Sequence, residues 1–366
     1  MESGGLRTRT SWVRRPARRT RTPRPLSSCH PREIDYCADM STIYDVAKLA
    51  GVSTATVSRV FNGASVSTPK AEAVRSAAKE LNFTPNRVAR NLRRRESETI
   101  ALIIPDVQNP YFTEMVRGVE DVASEAGYSV VLCNSDGRLD KEARYLQVSG
   151  WESMAGVIIA PASASTRLDE ILSTSRPVVI VDRRTAHDLD LVVMDNRAAG
   201  AAATKELLAA GFSRIAHIAG PQDIDTAFER AEGWRAVLEA SPSSVDEDLL
   251  RFSTFHVDGG RASMSALLDL PKPPDAIVAG NNLIGVGALQ VLGERGLMPP
   301  TFGVAVIGSL PFSTISPSAV TIVRLAAQEM GSVAARLLIE RIAGDERPIQ
   351  TVVLPHTVQR AAAARD

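Results

Sequence analysis

The chain has 366 residues, 44% hydrophobic and 23% charged, with formal net charge zero. That length fits two or three domains, the composition is that of a globular protein and not of a repetitive or low-complexity one, and no apolar run approaches the ~18 residues of a membrane span. Zero net charge hides a split: residues 1–40 carry nine Lys/Arg against four Asp/Glu, residues 41–97 ten against four, and residues 98–366 carry 23 against 34.

A basic front on an acidic body suits a segment that meets phosphates joined to one that does not. Cys29, Cys37 and Cys133 lack metal-ligand spacing and are too few for a disulfide framework. A reducing cytoplasm is therefore expected, with no metal and no cofactor.

Residues 1–40 are rich in Arg, Pro, Ser and Thr and poor in large apolar side chains. They bury too little to offset ordering entropy, so disorder is expected. No apolar h-region is present, which argues against a secretory signal. Met40 is read as the true start, with a mis-assigned extension before it; an intact mass that included residue 1 would end that reading. A basic arm with non-specific DNA affinity is the alternative.

Residues 41–84 form the next unit. Val46, Ala47, Leu49 and Ala50 mark one face of a short helix, and Gly51 supplies the left-handed residue that ends it. Ser53 offers an oxygen to cap a second helix, which buries Val57 and Val60 and turns Thr54, Ala55, Ser58 and Arg59 outward. Two helices joined by a tight Gly-containing turn are the helix-turn-helix pattern, whose second helix enters the DNA major groove. A plain helical hairpin is the structural alternative. Lys70–Asn82 reads as a third helix with Ala73, Val74, Ala77, Ala78 and Leu81 inward.

Residues 85–97 read as a hinge helix opened by Pro85. Val88, Ala89 and Leu92 make a stripe less than three turns long, ringed by Arg87, Arg90, Arg93, Arg94 and Arg95. Such a helix is marginal alone and needs a twin or a duplex, where an apolar side chain can wedge between base steps. A solvated charged linker fits the same residues.

From residue 98 to 366 the rhythm is α/β. Strands are predicted at Ile100–Ile104, Ser129–Cys133, Gly156–Ala160, Pro177–Val181, Val192–Met194, Ile215–Ala219, Ala276–Ala279, Val304–Ile307 and Thr351–Leu354. Helices are predicted at Tyr111–Ala126, Lys141–Gly150, Ala198–Ala210, Ala227–Glu239, Arg261–Leu268, Gly285–Arg295 and Gln328–Ala343. Apolar strands alternating with helices mean parallel sheets covered on both faces. Two such rounds give two doubly wound parallel-sheet lobes, with a ligand cleft at the carboxyl ends of their strands.

Tyr44-Asp45-Val46-Ala47, Ala50-Gly51-Val52-Ser53, Thr56-Val57-Ser58-Arg59-Val60 and Asn62 resemble the head of the lactose-repressor/galactose-repressor (LacI-type) regulators. Pro85-Asn86-Arg87-Val88-Ala89-Arg90 with Leu92 resembles their hinge. Ile103-Ile104-Pro105-Asp106, Asn109-Pro110-Tyr111-Phe112, Asp195-Asn196, His217–Pro221 and Arg230 with Gly233-Trp234 resemble their effector core. The resemblance spans about residues 41–360.

It implies a small all-α head on a periplasmic-binding-protein-like body, acting as a repressor of palindromic operator DNA under allosteric control by a small, sugar-like effector. Thr54, Ala55 and Arg59 are then expected at base edges, and Tyr44, Ser53, Thr56, Ser58 and Asn62 at phosphates. Asn86, Arg87, Ala89, Arg90 and the wedge Leu92 are expected in the minor groove. Asp106, Asn109, Phe112, Asp182, Asp195, Arg230 and Asn282 are the expected effector contacts. Phe112 could equally be a core aromatic, Arg230 a surface ion pair, and Asp182 and Asp195 helix caps.

The chain departs from the family pattern twice. Gly280-Asn281-Asn282 stands where Ala-Asn-Asp is usual, and Gly308-Ser309-Leu310-Pro311 where Gly-Phe-Asp-Asp is usual. The tail Arg360–Asp366 has no room for the heptads of tetrameric members, so a homodimer is expected.

Two rivals share parts of this pattern. A solute-binding protein of a sugar transporter has the two-lobed core but no use for residues 41–97. An enzyme is disfavoured: there is no Gly-x-x-x-x-Gly-Lys, no Gly-x-Ser-x-Gly elbow and no His-Glu-x-x-His, and His217 in an apolar strand reads as a core histidine.

Overall fold

A computed structural model describes residues 41–61, 64–83, 97–241, 245–310 and 319–362. The expectations for residues 1–40, Asn62, Asn86, Arg87, Ala89, Arg90 and Leu92 lie outside these residues. The chain divides into two compact units at residue 86, taken here one at a time.

The head contains α1 (Ile43–Leu49), α2 (Thr54–Phe61) and α3 (Thr68–Glu80). Thr42 and Asp45 form a reciprocal capping box: Thr42 N–H and Oγ1–H both donate to the Asp45 carboxylate, at 2.8 and 2.6 Å. Those bonds hold the Asp45 carboxyl below its usual range. Gly51, at φ +64°, ends α1, and Val52 N–H folds back to Ala47 O. Ser53 Oγ accepts from Thr56 N–H at 3.2 Å, as expected of the cap.

Val46, Ala47, Val57, Val74, Ala77 and Ala78 form the small core. Leu49 is a correction to the predicted inner face. Ile43, Val46, Ala47 and Ala50 already fill the stripe at spacings of three and four, Val52 closes its end, and Leu49 is left 47% exposed. The third helix opens at Thr68, two residues before the predicted start, because Pro69 is tolerated in a first turn.

The body runs β1 (Thr99–Ile104), α4 (Pro110–Glu125), β2 (Ser129–Asn134), α5 (Leu139–Trp151), β3 (Gly156–Ile159), α6 (Asp169–Leu172), β4 (Val178–Val181) and β5 (Asp190–Met194). It continues through α7 (Asn196–Ala209), β6 (Ile215–Ala219), α8 (Asp225–Glu239), β7 (Leu250–Phe252), α9 (Val257–Leu268), β8 (Ala276–Ala279), α10 (Asn282–Glu294) and β9 (Gly303–Ile307). It closes with β10 (Thr321–Leu325), α11 (Ala327–Ile342), β11 (Thr351–Leu354) and β12 (His356–Gln359).

Two six-stranded sheets result, ordered β11-β5-β4-β3-β1-β2 in lobe one and β12-β10-β9-β8-β6-β7 in lobe two. All pairs are parallel except β10–β12. Central strands such as β1, β8 and β9 are almost wholly buried, which is why they read as unbroken apolar runs.

The two doubly wound lobes are interleaved along the chain. The chain crosses between them after β5, after β10 and between β11 and β12, so α11 and β11 return to lobe one. There α11 packs on α4 through Met115, Val119, Met330 and Ala334. Strands β7 and β12 are short and carry Arg251 and His356, and β10 is interrupted by Arg324, so no clean apolar run marks them.

Candidate functional site

On the head, α2 presents Ala55 and Arg59 to solvent, with Thr54, Thr56 and Ser58 half-buried beside them. Tyr44, 71% exposed, and Ser53 are open to solvent as well. The helix is held from behind by Val57 in the core, so its outer face is presented by a fixed scaffold.

In the body, the carboxyl ends of β1, β4, β8 and β9 converge on an inner chamber of about 30 Å³ between the lobes. Asn109, Phe112, Asp182, Arg230 and Asn282, all expected contacts, line it, joined by Tyr111, Arg183, Thr226, Phe255 and Asn281. A cavity of about 390 Å³ shares Asn109, Phe112, Arg183 and Phe255 with it and adds Asp106 and His256 at the mouth. Asp195 is not among these residues. Its Oδ1 accepts from Ala198 N–H at 2.9 Å, capping α7.

Lobe one supplies the acid and one guanidinium. Asp182 sits at φ +66°, a left-handed turn that Asp tolerates better than most residues, immediately after β4. Its Oδ2 lies 3.4 Å from Arg183 Nε. Arg183 Nη1 donates to Pro161 O and Ala162 O, at 2.9 and 3.2 Å. That loop is fastened in turn by buried Glu142, which accepts from Ala162 N–H and Thr166 Oγ1–H, both at 2.6 Å. Burial pushes the Glu142 carboxyl up.

Asn109 caps α4 by accepting from Tyr111 N–H, and Phe112 packs edge-on against the Tyr111 ring, centroids 5.2 Å apart. Both aromatic rings belong to the lobe-one core while lining the chamber, so Phe112 holds a core place and a cleft place together. Burial raises the Tyr111 phenol well above its usual value, and the Asp182 charge adds to this.

Lobe two supplies Arg230, which is 5% exposed and so no surface ion pair. Its Nε donates to Asn196 Oδ1 at 2.9 Å and its Nη1 to Gly280 O at 2.6 Å. Burial lowers its pKa and the Asp182 carboxylate opposes that fall. Asn281 caps α10 through Ile284 N–H and donates to Phe255 O, which ties the Phe255 loop to the strand end. Asn282 is 2% exposed and its Nδ2 has no hydrogen-bond partner among the described residues. Gly308, at φ +126°, passes beside it.

Sequence reasoning named Asp182 but not its neighbour Arg183, quoted Asn196 only within the Asp195-Asn196 motif, and missed Thr226, Phe255 and Glu142. Phe255 follows β7, a strand too short to read. Glu142 looks in sequence like any charged helix residue.

Residues 42–86 match the family model for "Bacterial regulatory proteins, lacI family", and residues 97–362 match that for "Periplasmic binding proteins and sugar binding domain of LacI family". This chain belongs to the LacI family. A ribose operon repressor from Halalkalibacterium halodurans is 37% identical over 316 residues, 85% of this chain and 93% of that protein. The HTH-type transcriptional regulator CelR of Thermobifida fusca is 35% identical, over 87% of this chain and 97% of its own length. A solved structure of a CelR–cellobiose complex superposes with a TM-score of 0.67 at 32% identity, covering 88% of this chain and all of that one. As a LacI-family member the chain is a DNA-binding transcriptional regulator, a reading favoured over a transporter's solute-binding protein.

Proposed function

We propose that this chain represses transcription as a homodimer on a near-palindromic operator, and that a small carbohydrate-type effector closing the lobes sets its grip. The carrying observation is the buried Asp182, Arg183 and Arg230 constellation beside the Phe112 and Phe255 rings, drawn from both lobes. Fixed charges and amide groups with aromatic faces suit a hydrogen-bonding, ring-shaped solute. The names of the ribose operon repressor and the CelR–cellobiose complex support a carbohydrate.

In the head, Arg59 is the residue of α2 able to pair bidentately with a guanine, while Thr54 and Ala55 are too short for much readout. Tyr44, Ser53, Thr56 and Ser58 hold phosphates. Residues 85–97, with Leu92 as wedge, read the minor groove, and DNA shape there adds selectivity. The effector must prefer one lobe arrangement to shift operator affinity, since equal binding to both states shifts nothing. The protein works in the cytoplasm, and no chemistry is assigned to the cleft.

Fluorescence anisotropy on operator DNA selected from a random pool, titrated with salt and with sugars, tests this. Affinity should fall steeply as salt rises and change with one sugar class. Failure to select any sequence would sink the proposal.

A further inference from the structure

We propose that the effector carries a carboxylate that enters the inner chamber, and that Asn282 is the residue selecting it; this rests on the carbohydrate reading above. The chamber wall holds two guanidiniums, Arg183 and Arg230, against one carboxylate, Asp182. Glu142 and Asp225 stand behind the wall with their acceptors occupied: Glu142 by Ala162 and Thr166, Asp225 by Arg184 N–H and Thr226 N–H. Burial pushes both of those carboxyls up.

The fully buried side-chain atoms lining the chamber without a hydrogen-bond partner are both donors, Asn282 Nδ2 and Arg183 Nε. Arg183 Nε lies 3.4 Å from Asp182 but outside hydrogen-bond geometry. A neutral sugar hydroxyl brings a proton that needs an acceptor, and the one carboxylate on the wall, Asp182, already lies 3.4 Å from the Arg183 guanidinium. The three positions where the resemblance puts aspartates, residues 282, 310 and 311, are Asn, Leu and Pro here, and Leu310 packs on the lobe-two core. A carboxylate is acceptor-only and presents two oxygens to two donors. A space of about 30 Å³ takes one small group, while the cavity of about 390 Å³ with Asp106, Asn109 and Phe112 takes the hydroxylated remainder.

Isothermal titration of the full-length protein with matched probes decides the matter: D-ribose, D-ribonate and ribose 5-phosphate, then D-glucose, D-gluconate, D-glucuronate and glucose 6-phosphate. At least one acid should bind about tenfold or more tighter than its parent aldose, the size expected of charge-assisted bonds. Asn282→Asp sets a carboxylate against the acid and should reverse that ratio. Residue 282 is the first of α10, where an aspartate favours the helix, so the variant should fold; its unfolding curve checks this.

Tighter binding of the aldose, or a ratio unchanged within about twofold in the variant, overturns the proposal and leaves the carbohydrate reading standing. Tighter binding of the phosphate overturns the carboxylate. No binding by any probe overturns both.

Discussion

His217 shows what burial does to one titratable side chain. It is fully buried in β6, its Nδ1 lies 2.9 Å from Val278 O, and its ring stacks on Trp234 at 6.2 Å between centroids. A carbonyl only accepts, so Nδ1 carries the proton. Burial lowers the pKa from 6.5 to about 4. The unfolded chain therefore binds more protons below pH 6.5, and the stability His217 supports is lost as pH falls from about 6.5 toward 4. That fall corresponds to about 3 kcal/mol. Urea unfolding at pH 7.5 and 4.5 should show a pH penalty larger by roughly 2–3 kcal/mol in the native chain than in His217→Gln; equal penalties would refute the assignment. On the head, Arg59→Ala should cut discrimination between operator and scrambled duplex by about 1–3 kcal/mol at fixed salt, as loss of a bidentate base contact does. Anisotropy measures it, and unchanged selectivity would remove Arg59 from the base edge.

At the scale of the element, three helix pairs cross on glycines. A Cβ on Gly200 would sit 2.1 Å from Arg230 O, and one on Gly233 2.1 Å from Arg197 O, so α7 and α8 touch backbone to backbone. The same reciprocity joins Gly118 with Gly331 and Gly260 with Gly287. The first crossing fixes Arg230 against Asn196. Gly200→Ala should therefore cost about 1–3 kcal/mol by overpacking and weaken effector binding by shifting the Arg230 backbone. Gly150→Ala in α5 meets only side-chain atoms at 3.6 Å or more and should be neutral or slightly stabilising. Chemical denaturation with effector titration compares them; equal behaviour would count against the crossing as a positioning device. These contacts explain what was legible in sequence. Buried strands such as β6 and β8 announced themselves by apolar runs and were placed to the residue; Asp182 and Asn282 lay at strand ends where ligands bind, and Arg230, inside α8, came from the family resemblance. The lobe crossings were not legible, because β10 is broken by Arg324, β12 is four residues long and mostly exposed, and nothing local says to which sheet a strand belongs. Arg183 and Phe255 were hidden for a related reason: their roles come from the loops that aim them.

For the whole molecule, the question is what joins two chains. The lobe-one edge strand β2 leaves Val131 and Leu132 about 40% exposed, and α5 leaves Leu139, Val148 and Trp151 exposed, Trp151 by 71%. An apolar edge strand is a pairing liability unless a partner covers it. A second copy of the chain is the partner the homodimer reading supplies, and it would bring two heads to one operator. Two linked heads raise affinity by about 10²–10⁴ over one, without any new base contact. Leu132→Asp places a charge on that edge, and Leu132 lines neither the chamber nor the larger cavity. Sedimentation should then show a single chain where the native protein shows two, and operator affinity should drop by about 10²-fold or more. Effector affinity, which depends on residues of one chain, should stay within about twofold of native. A variant that remained dimeric would move the interface elsewhere. A monomer that kept full operator affinity would break the link between pairing and grip on which repression by this chain is argued to depend.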